Sequence, residues 1–380
     1  MSRTRVGLNG RLRAFAALAA LALVLVASFA ATASALPARY WGVVPQTALS
    51  QEQFERLQKG GVRTMRVPFD WGGLQQAGKT VAIDWTGLDL TVERAARANI
   101  ELLPFLTGAP SWAVPSVSVP GDPNAKAPAR LPVAGASLTA WKQFVREAVA
   151  RYGTNGSFWT SHPTVPRRPV RFWQVWNEPN FKYFVARPNP AEYGRLLKLT
   201  SATIKAADPS AKVVLAGLFA LPKGCLTEKK PKSICATDFI TQMYKRTPGI
   251  KSRYDAVALH PYSKFWQEVG PRIDEFRRAL TQSRDGAKPL WITELSWSSQ
   301  APNPANTFAK GVAGQAKQLQ GAFGLLRSKQ AKWKIQRLYW FSVDDATGTC
   351  NFCDGSGLFG DGFVPKKAWF SFVKFTGGTP

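Results

Sequence analysis

An eight-stranded (β/α)8 barrel is the fold class this sequence predicts, and three observations predict it. Eight short β-compatible runs alternate with eight helical ones, the order that produces a parallel sheet with helical crossovers. No internal repeat or low-complexity linker divides residues 36–380, a span of 345 residues that suits one large α/β barrel. No G-x-G-x-x-G follows the first run, so an open dinucleotide-binding sheet is the poorer match.

The first strand is expected at Tyr40–Val44. Ser50 with Gln53 three residues on is a capping-box pattern that starts a helix, and Gly60-Gly61 ends it. Thr64–Val67 forms the second strand, with a helix over Gly87–Ala98 after it, and Glu101–Phe105 the third. Gly108 to Ser137 reads as a long Pro-rich loop, and a structureless loop of that length in a compact domain tends to be functional. An amphipathic helix, Leu138–Tyr152, runs to Gly153 as its cap. The fourth strand is carried by the run Arg171 to Asn180 (RFWQVWNEPN), where Pro179 ends the ladder because it has no N–H to give. A helix over Pro190–Ala207 follows, then strand five at Lys212–Gly217 and a helix near Thr237–Arg246. Strand six is Asp255–Leu259, with a helix at Pro271–Ser283; strand seven is Leu290–Thr293, with a helix at Ala305–Ser328. Strand eight, Arg337–Phe341, and a helix over Pro365–Phe375 close the chain.

Residues 1–35 stand apart from this pattern. Arg3, Arg5, Arg11 and Arg13 precede the apolar run Ala14–Ala31, and Ala33-Ser34-Ala35 supplies a small-residue cleavage site. That is the layout of a secretory signal peptide, with an uncleaved membrane anchor as the alternative. The reading is a secreted, soluble chain with no membrane association after cleavage.

The whole chain carries a formal net charge of +26, and the four signal arginines account for four of it, leaving +22. Such a surface attracts polyanions, acidic glycans among them. The basic residues are scattered and no nucleic-acid motif accompanies them, so no nucleic acid is expected as partner. Four cysteines in an exported chain point to disulfides, and local pairing of Cys225 with Cys235 and of Cys350 with Cys353 is preferred among three connectivities. Zinc would need four ligands, and the two histidines, His162 and His260, have no supporting cluster; no metal or organic cofactor is expected. Nothing demands more than a monomer.

Barrel enzymes place their working groups at the carboxyl ends of the strands. Those ends carry Arg66, Asn177, Glu178, His260, Tyr262 and Glu294, with Trp340 on the last strand. Two strands that each finish on a glutamate provide what double displacement at a glycosidic bond needs, one protonated carboxyl and one ionised carboxylate. Arg66 is suited to keep Glu294 ionised, and an apolar wall including Trp176 to keep Glu178 protonated. Trp340 offers a flat face to a sugar ring. Trp41, Trp71, Trp112, Trp266 and Trp297 lie at the same rim; any one is more often packing than a sugar platform, but several together favour a carbohydrate cleft.

WQVWNEPN and WITELSW, with Arg66-Val67-Pro68 and His260-Pro261-Tyr262, resemble the clan A glycoside hydrolases, above all the cellulase-like family 5 and the β-xylosidase-like family 39. Family 5 enzymes usually carry a histidine after the third strand; Thr107-Gly108-Ala109-Pro110-Ser111-Trp112 has none and is more similar to family 39. The resemblance implies a retaining hydrolase of a β-linked oligo- or polysaccharide, with Glu178 as acid/base and Glu294 as nucleophile. It further implies that Asn177 contacts the 2-hydroxyl, that Tyr262 and Arg66 hold the nucleophile, and that His260 lines the site. Trp340 would floor the −1 subsite, with a cis bond between Trp340 and Phe341, and Trp112 joins the substrate-binding set. The alternative from another class is a non-catalytic carbohydrate- or cell-wall-binding barrel.

Overall fold

The structure, a computed structural model, describes residues 35–220, 233–346 and 353–380. Eight parallel strands close into a barrel in the order β1-β10-β9-β8-β7-β6-β3-β2. These are β1 (Trp41–Val44), β2 (Thr64–Asp70), β3 (Glu101–Thr107), β6 (Phe172–Val175), β7 (Lys212–Phe219), β8 (Ala256–His260), β9 (Leu290–Ile292) and β10 (Ile335–Phe341). Their order around the barrel follows their order in the chain, as right-handed β-helix-β crossovers require. The expected (β/α)8 fold is therefore present. Among the described residues no helix is long and apolar enough to cross a membrane.

Local chemistry accounts for several boundaries. The Ser50 hydroxyl accepts from the Gln53 amide while the Gln53 side chain accepts from the Ser50 amide, the reciprocal capping that starts the helix Gln51–Lys59. Asn189 caps the helix Pro190–Ala207 by accepting from Ala191 and Glu192, with proline at the first helical position.

Two expectations need correction. Gly108 to Ser137 is not structureless: Ser116–Val119 (β4) and Asp122–Pro128 (β5) form an antiparallel hairpin. Pro120-Gly121, with Gly121 at φ +79°, makes its turn. The prolines at 123 and 128 disguise it, since proline is tolerated only where a strand has a free edge, as in this two-stranded sheet. Val119 and Ala127 of the hairpin pack on Ala186, and the Ala186 amide donates to the Pro128 carbonyl at 2.9 Å, so the hairpin covers the segment that follows β6. The helix expected from Ala305 begins only at Gly311, and residues 298–310 form a loop that turns back on itself.

The barrel interior is filled by Val44, Leu103, Val214, Ala256, Ala258, Trp291, Tyr339 and Phe341. Successive side chains of a strand face opposite ways, so Arg337, Tyr339 and Phe341 of β10 face one side and Leu338 and Trp340 the other. The inward Arg337 guanidinium stacks over Trp291 and pairs with Glu101 at 2.6 Å near the amino-terminal end of the barrel. Neither Cys235 nor Cys353 is a free thiol. Cys225 and Cys350, their expected partners, lie outside the described residues, as does nearly all of the expected signal segment.

Candidate active site

Six of the residues singled out at strand ends converge on one point at the carboxyl end of the barrel. β6 stops at Val175, and the chain then turns through Trp176 (φ +73°) and Glu178 (φ +40°), conformations that non-glycine residues rarely adopt. Backbone bonds hold this turn: Trp176 N–H donates to Leu106 O at 2.8 Å and Glu178 N–H to Gly217 O at 3.1 Å. Asn180 locks it further, its amide donating to Phe219 O and Ile234 O and accepting from Phe219 N–H. Glu178 thereby faces Glu294, which follows β9 by two residues.

Arg66, inward on β2 and fully buried, organises the centre. Its Nε donates to Gln174 Oε1 (2.6 Å) and its two terminal nitrogens to Glu294 Oε1 (2.5 Å) and Asn177 Oδ1 (2.7 Å), while the guanidinium lies 3.8 Å from the Phe105 ring centroid. The other Glu294 oxygen accepts from Tyr262 Oη at 2.9 Å. His260, at the end of β8, places Nδ1 2.6 Å from Glu178 Oε1 and Nε2 2.9 Å from Thr293 Oγ1.

The electrostatics of the two carboxyls differ. Burial pushes Glu178 well above the usual carboxylate range, and the neighbouring Glu294 charge pushes the same way against Arg66. Burial raises Glu294 too, but Arg66 and the Tyr262 hydroxyl both stabilise its ionised form. Burial first, and Arg66 second, hold His260 well below its ordinary value, so the imidazole is neutral. We assign its tautomer from the chain of contacts. Gln174 amide donates to Leu215 O and toward Thr293 Oγ1, the Thr293 hydroxyl donates to Nε2, and Nδ1–H donates to Glu178.

One oxygen or nitrogen from each of Glu178, His260 and Glu294 lies within 4.8 Å of the others, close enough for one cation. Those atoms already have protein partners, however. Arg66 and Tyr262 take the Glu294 oxygens and His260 takes Glu178, so the positive charge of the centre is supplied by a guanidinium.

Other expectations are not met. Trp340 is completely buried on the outer side of β10, its Nε1 donating to Ser356 O and its ring against Phe323 and Trp297. It packs the barrel against the helix Gly311–Ser328 and cannot floor a sugar subsite. The inward residue is its neighbour Phe341, and the cis peptide falls one bond later than expected, between Phe341 and Ser342. A shift of one residue exchanges the faces of a strand, and WF offers an aromatic at either parity. Trp176 likewise turns its ring to Trp141 (5.6 Å), so burial in general rather than that indole desolvates Glu178. Trp112 is half-buried at the rim, edge-on to Trp71 and bonded through Nε1 to Gln75 O. Trp41, Trp71 and Trp297 are core residues.

Sequence reading missed Gln174, Thr293 and Gly217. The first two are polar residues inside otherwise apolar strands, a signal that was visible. Gly217 was not legible: a Cβ there would sit 1.9 Å from His260 Nε2, and only the folded chain shows that approach.

Comparison with known proteins identifies a family and a fold. Residues 149–362, more than half of the chain and including both glutamates, match the family model of the glycosyl hydrolase catalytic core. No curated protein matches the sequence. Similar solved structures include a family 39 glycoside hydrolase from the gut symbiont Bacteroides cellulosilyticus, with TM-score 0.62 and 18% identity, covering 90% of this chain and 64% of that one. A family 39 β-xylosidase from Caulobacter crescentus gives TM-score 0.61 and 21% identity over 90% of this chain and 72% of that one. A fungal β-1,4-galactanase gives 0.59 and 15% over 90% and 100%. At these identities the likeness is one of fold, and this chain spans under two thirds of the length of the first.

Proposed function

We propose that this chain, which belongs to the glycosyl hydrolase catalytic core family, cleaves a β-linked glycan with retention of anomeric configuration. Hydrolysis of glycosidic bonds is the family's activity and this protein's class. The observation that carries the finer reading is that one carboxylate oxygen of Glu178 lies within 4.8 Å of one of Glu294, across a single buried pocket. Retaining enzymes hold their carboxyls about 5–5.5 Å apart, and inverting enzymes need roughly 6.5–9.5 Å to admit a water between them.

The surroundings divide the roles. Glu294, held ionised by Arg66 and Tyr262, attacks the anomeric carbon to form a glycosyl ester. Glu178, kept protonated by burial and by the charge opposite, gives its proton to the departing oxygen. With Nδ1–H of His260 on Oε1, the catalytic proton sits on Oε2. In the second half Glu178 takes a proton from water, which attacks the ester and frees Glu294. Asn177, oriented through its Oδ1 by Arg66, keeps its amide N–H for a sugar hydroxyl beside the anomeric centre.

Activity on a panel of aryl β-glycosides and β-linked oligosaccharides tests this. Glu294→Gln should abolish turnover. Glu178→Gln should lose about 10²–10⁴-fold on substrates with poor leaving groups and far less on activated aryl glycosides. An active Glu294→Gln protein, or an inverted product by NMR, overturns the mechanism. The alternative of a binding-only barrel is less well supported, because binding needs no buried carboxyl pair at this separation. We further read residues 1–35 as a secretory signal, the cysteines as the local pairs Cys225–Cys235 and Cys350–Cys353, and the enzyme as a secreted monomer.

A further inference from the structure

A line of aromatic rings crosses the carboxyl face of the barrel. Half-exposed Tyr183 packs on Phe181 (5.1 Å), Phe181 stacks on Phe219 (4.7 Å), Phe219 meets Tyr262 (5.9 Å), and Tyr262 meets Phe308 edge-on (6.2 Å). Tyr262 is the residue whose hydroxyl holds Glu294, so the line passes beside the cleavage point.

Just past Tyr262 the line meets two cations. Lys264 follows Tyr262 by two residues and Lys310 follows Phe308 by two, so each is within about 7 Å along the chain of a ring in the line. Both ammonium groups lie over the face of Phe265, Lys264 at 5.3 Å and Lys310 at 4.3 Å from its centroid, and Phe265 is 42% exposed. Hydrogen bonds to backbone carbonyls brace the pair. Trp297 Nε1 donates to Ser263 O and Lys264 O, and Lys310 N–H donates to Ser298 O.

Among the described residues neither ammonium makes a hydrogen bond or an ion pair. The nearby Glu268 pairs with Arg272 at 3.6 Å instead. Burial, and then the Lys264 charge, hold Lys310 below the usual lysine range, against a weaker opposing pull from the Glu268 carboxylate. Like charges gathered over an exposed ring cost energy unless an anion joins them. A sugar that bears an anionic group answers both features: its anion draws the two ammonium groups off the Phe265 ring and pairs with them, and its C–H face takes their place on the exposed ring.

We propose that Lys264, Lys310 and Phe265 form a subsite for an anionic sugar next to the cleavage point, which makes acidic polysaccharides the substrate class. The inference rests on the hydrolase reading for the cleavage itself but not for binding. Carboxylate and sulfate share the required chemistry, and the probes separate them.

Calorimetric titration would compare neutral xylo- and cello-oligosaccharides with glucuronate-branched xylo-oligosaccharides, hyaluronan oligosaccharides and chondroitin sulfate oligosaccharides. The probes would be titrated into the wild type, Lys264→Met, Lys310→Met and the double variant. Acidic probes should bind about tenfold more tightly than neutral ones at low salt. That preference should fall in each single variant, vanish in the double variant and shrink as salt rises. Preference for hyaluronan and branched xylan assigns carboxylate; preference for chondroitin sulfate alone assigns sulfate. Equal binding of neutral and acidic probes, no binding of any acidic probe, or an undiminished preference in the double variant overturns the inference. A wild type that cleaves neutral aryl glycosides without acidic preference loses this subsite and keeps the hydrolase reading. One that binds acidic probes through these lysines and cleaves nothing does the reverse.

Discussion

His260 Nδ1 lies 2.6 Å from Glu178 Oε1, although 82 residues separate the two in the chain. The imidazole is neutral, so what reaches Glu178 is one N–H whose position depends on the tautomer, and Thr293 sets the tautomer from the other ring nitrogen. Thr293→Val keeps the shape and removes that hydroxyl. It should cost up to about tenfold in kcat on substrates with poor leaving groups, the upper worth of one neutral hydrogen bond, and little on activated aryl glycosides. Equal losses on both substrate types would mean that Thr293 acts through packing.

Gly217 is where the fold leaves room for this arrangement. A methyl group at 217 meets the imidazole and must push His260 away from Glu178, and a displacement near 1 Å costs on the order of 10²-fold in rate. Gly217→Ala should therefore fold and bind substrate yet lose activity to that extent. Wild-type turnover in this variant would contradict the packing at 217.

The pH profile of kcat/KM should be a bell whose two limbs belong to the coupled pair. Its acid limb reports ionisation of the nucleophile pair member and its alkaline limb loss of the catalytic proton. Burial raises both carboxyls, so both limbs should fall above the pH of ordinary glutamate ionisation. Tyr262→Phe removes a donor that favours the ionised form of Glu294, and the acid limb should then move to higher pH. Movement to lower pH would contradict the assignment of Glu294.

Arg66→Met should be the most damaging change outside the glutamates. It strips Glu294 of its cation and leaves Gln174 and Asn177 with unfilled acceptors. Removing one member of a buried pair costs roughly 3–5 kcal/mol, to be read as a lower denaturant midpoint at unchanged m-value, and activity should fall to background. Arg66→Lys keeps the charge but cannot bond three ways, so it should recover stability in part and activity hardly at all.

Trp340 and Phe341 should separate cleanly. Trp340→Phe loses the bond to Ser356 O and some packing, a cost of about 1–2 kcal/mol, with KM unchanged. Phe341→Ala should raise KM because its ring faces the barrel interior. A KM effect at 340 and none at 341 would reverse the assignment of the two faces.

Much of the protein was legible in its sequence because the signals are local. Strand runs, the Ser50 capping box and Pro190 in the first turn are decided by neighbours a few residues apart, and the helix over 190–207 matches its reading at both ends. The barrel follows from element order. Once it is accepted, strand ends must gather on one face, which is why Arg66, Asn177, Glu178, His260, Tyr262 and Glu294 could be named before the fold was seen.

What required the tertiary structure depends on contacts between residues far apart in the chain. Which of Trp340 and Phe341 faces inward is set by the register of β10 against β1 and β9, and the sequence WF is consistent with either face. The β4–β5 hairpin carries prolines that deny it a strand signature, and it is held by the segment after β6 that it covers. Gly217 beside His260, the separation of the two carboxyls, and the meeting of Lys264 with Lys310 over Phe265 are all distances through space. By itself, the sequence determined the fold class and the set of groups at the barrel mouth, since those follow from periodicity and order. Their protonation, their orientation and the substrate charge they suit were decided only by packing, because electrostatic energies follow distance and burial rather than position along the chain.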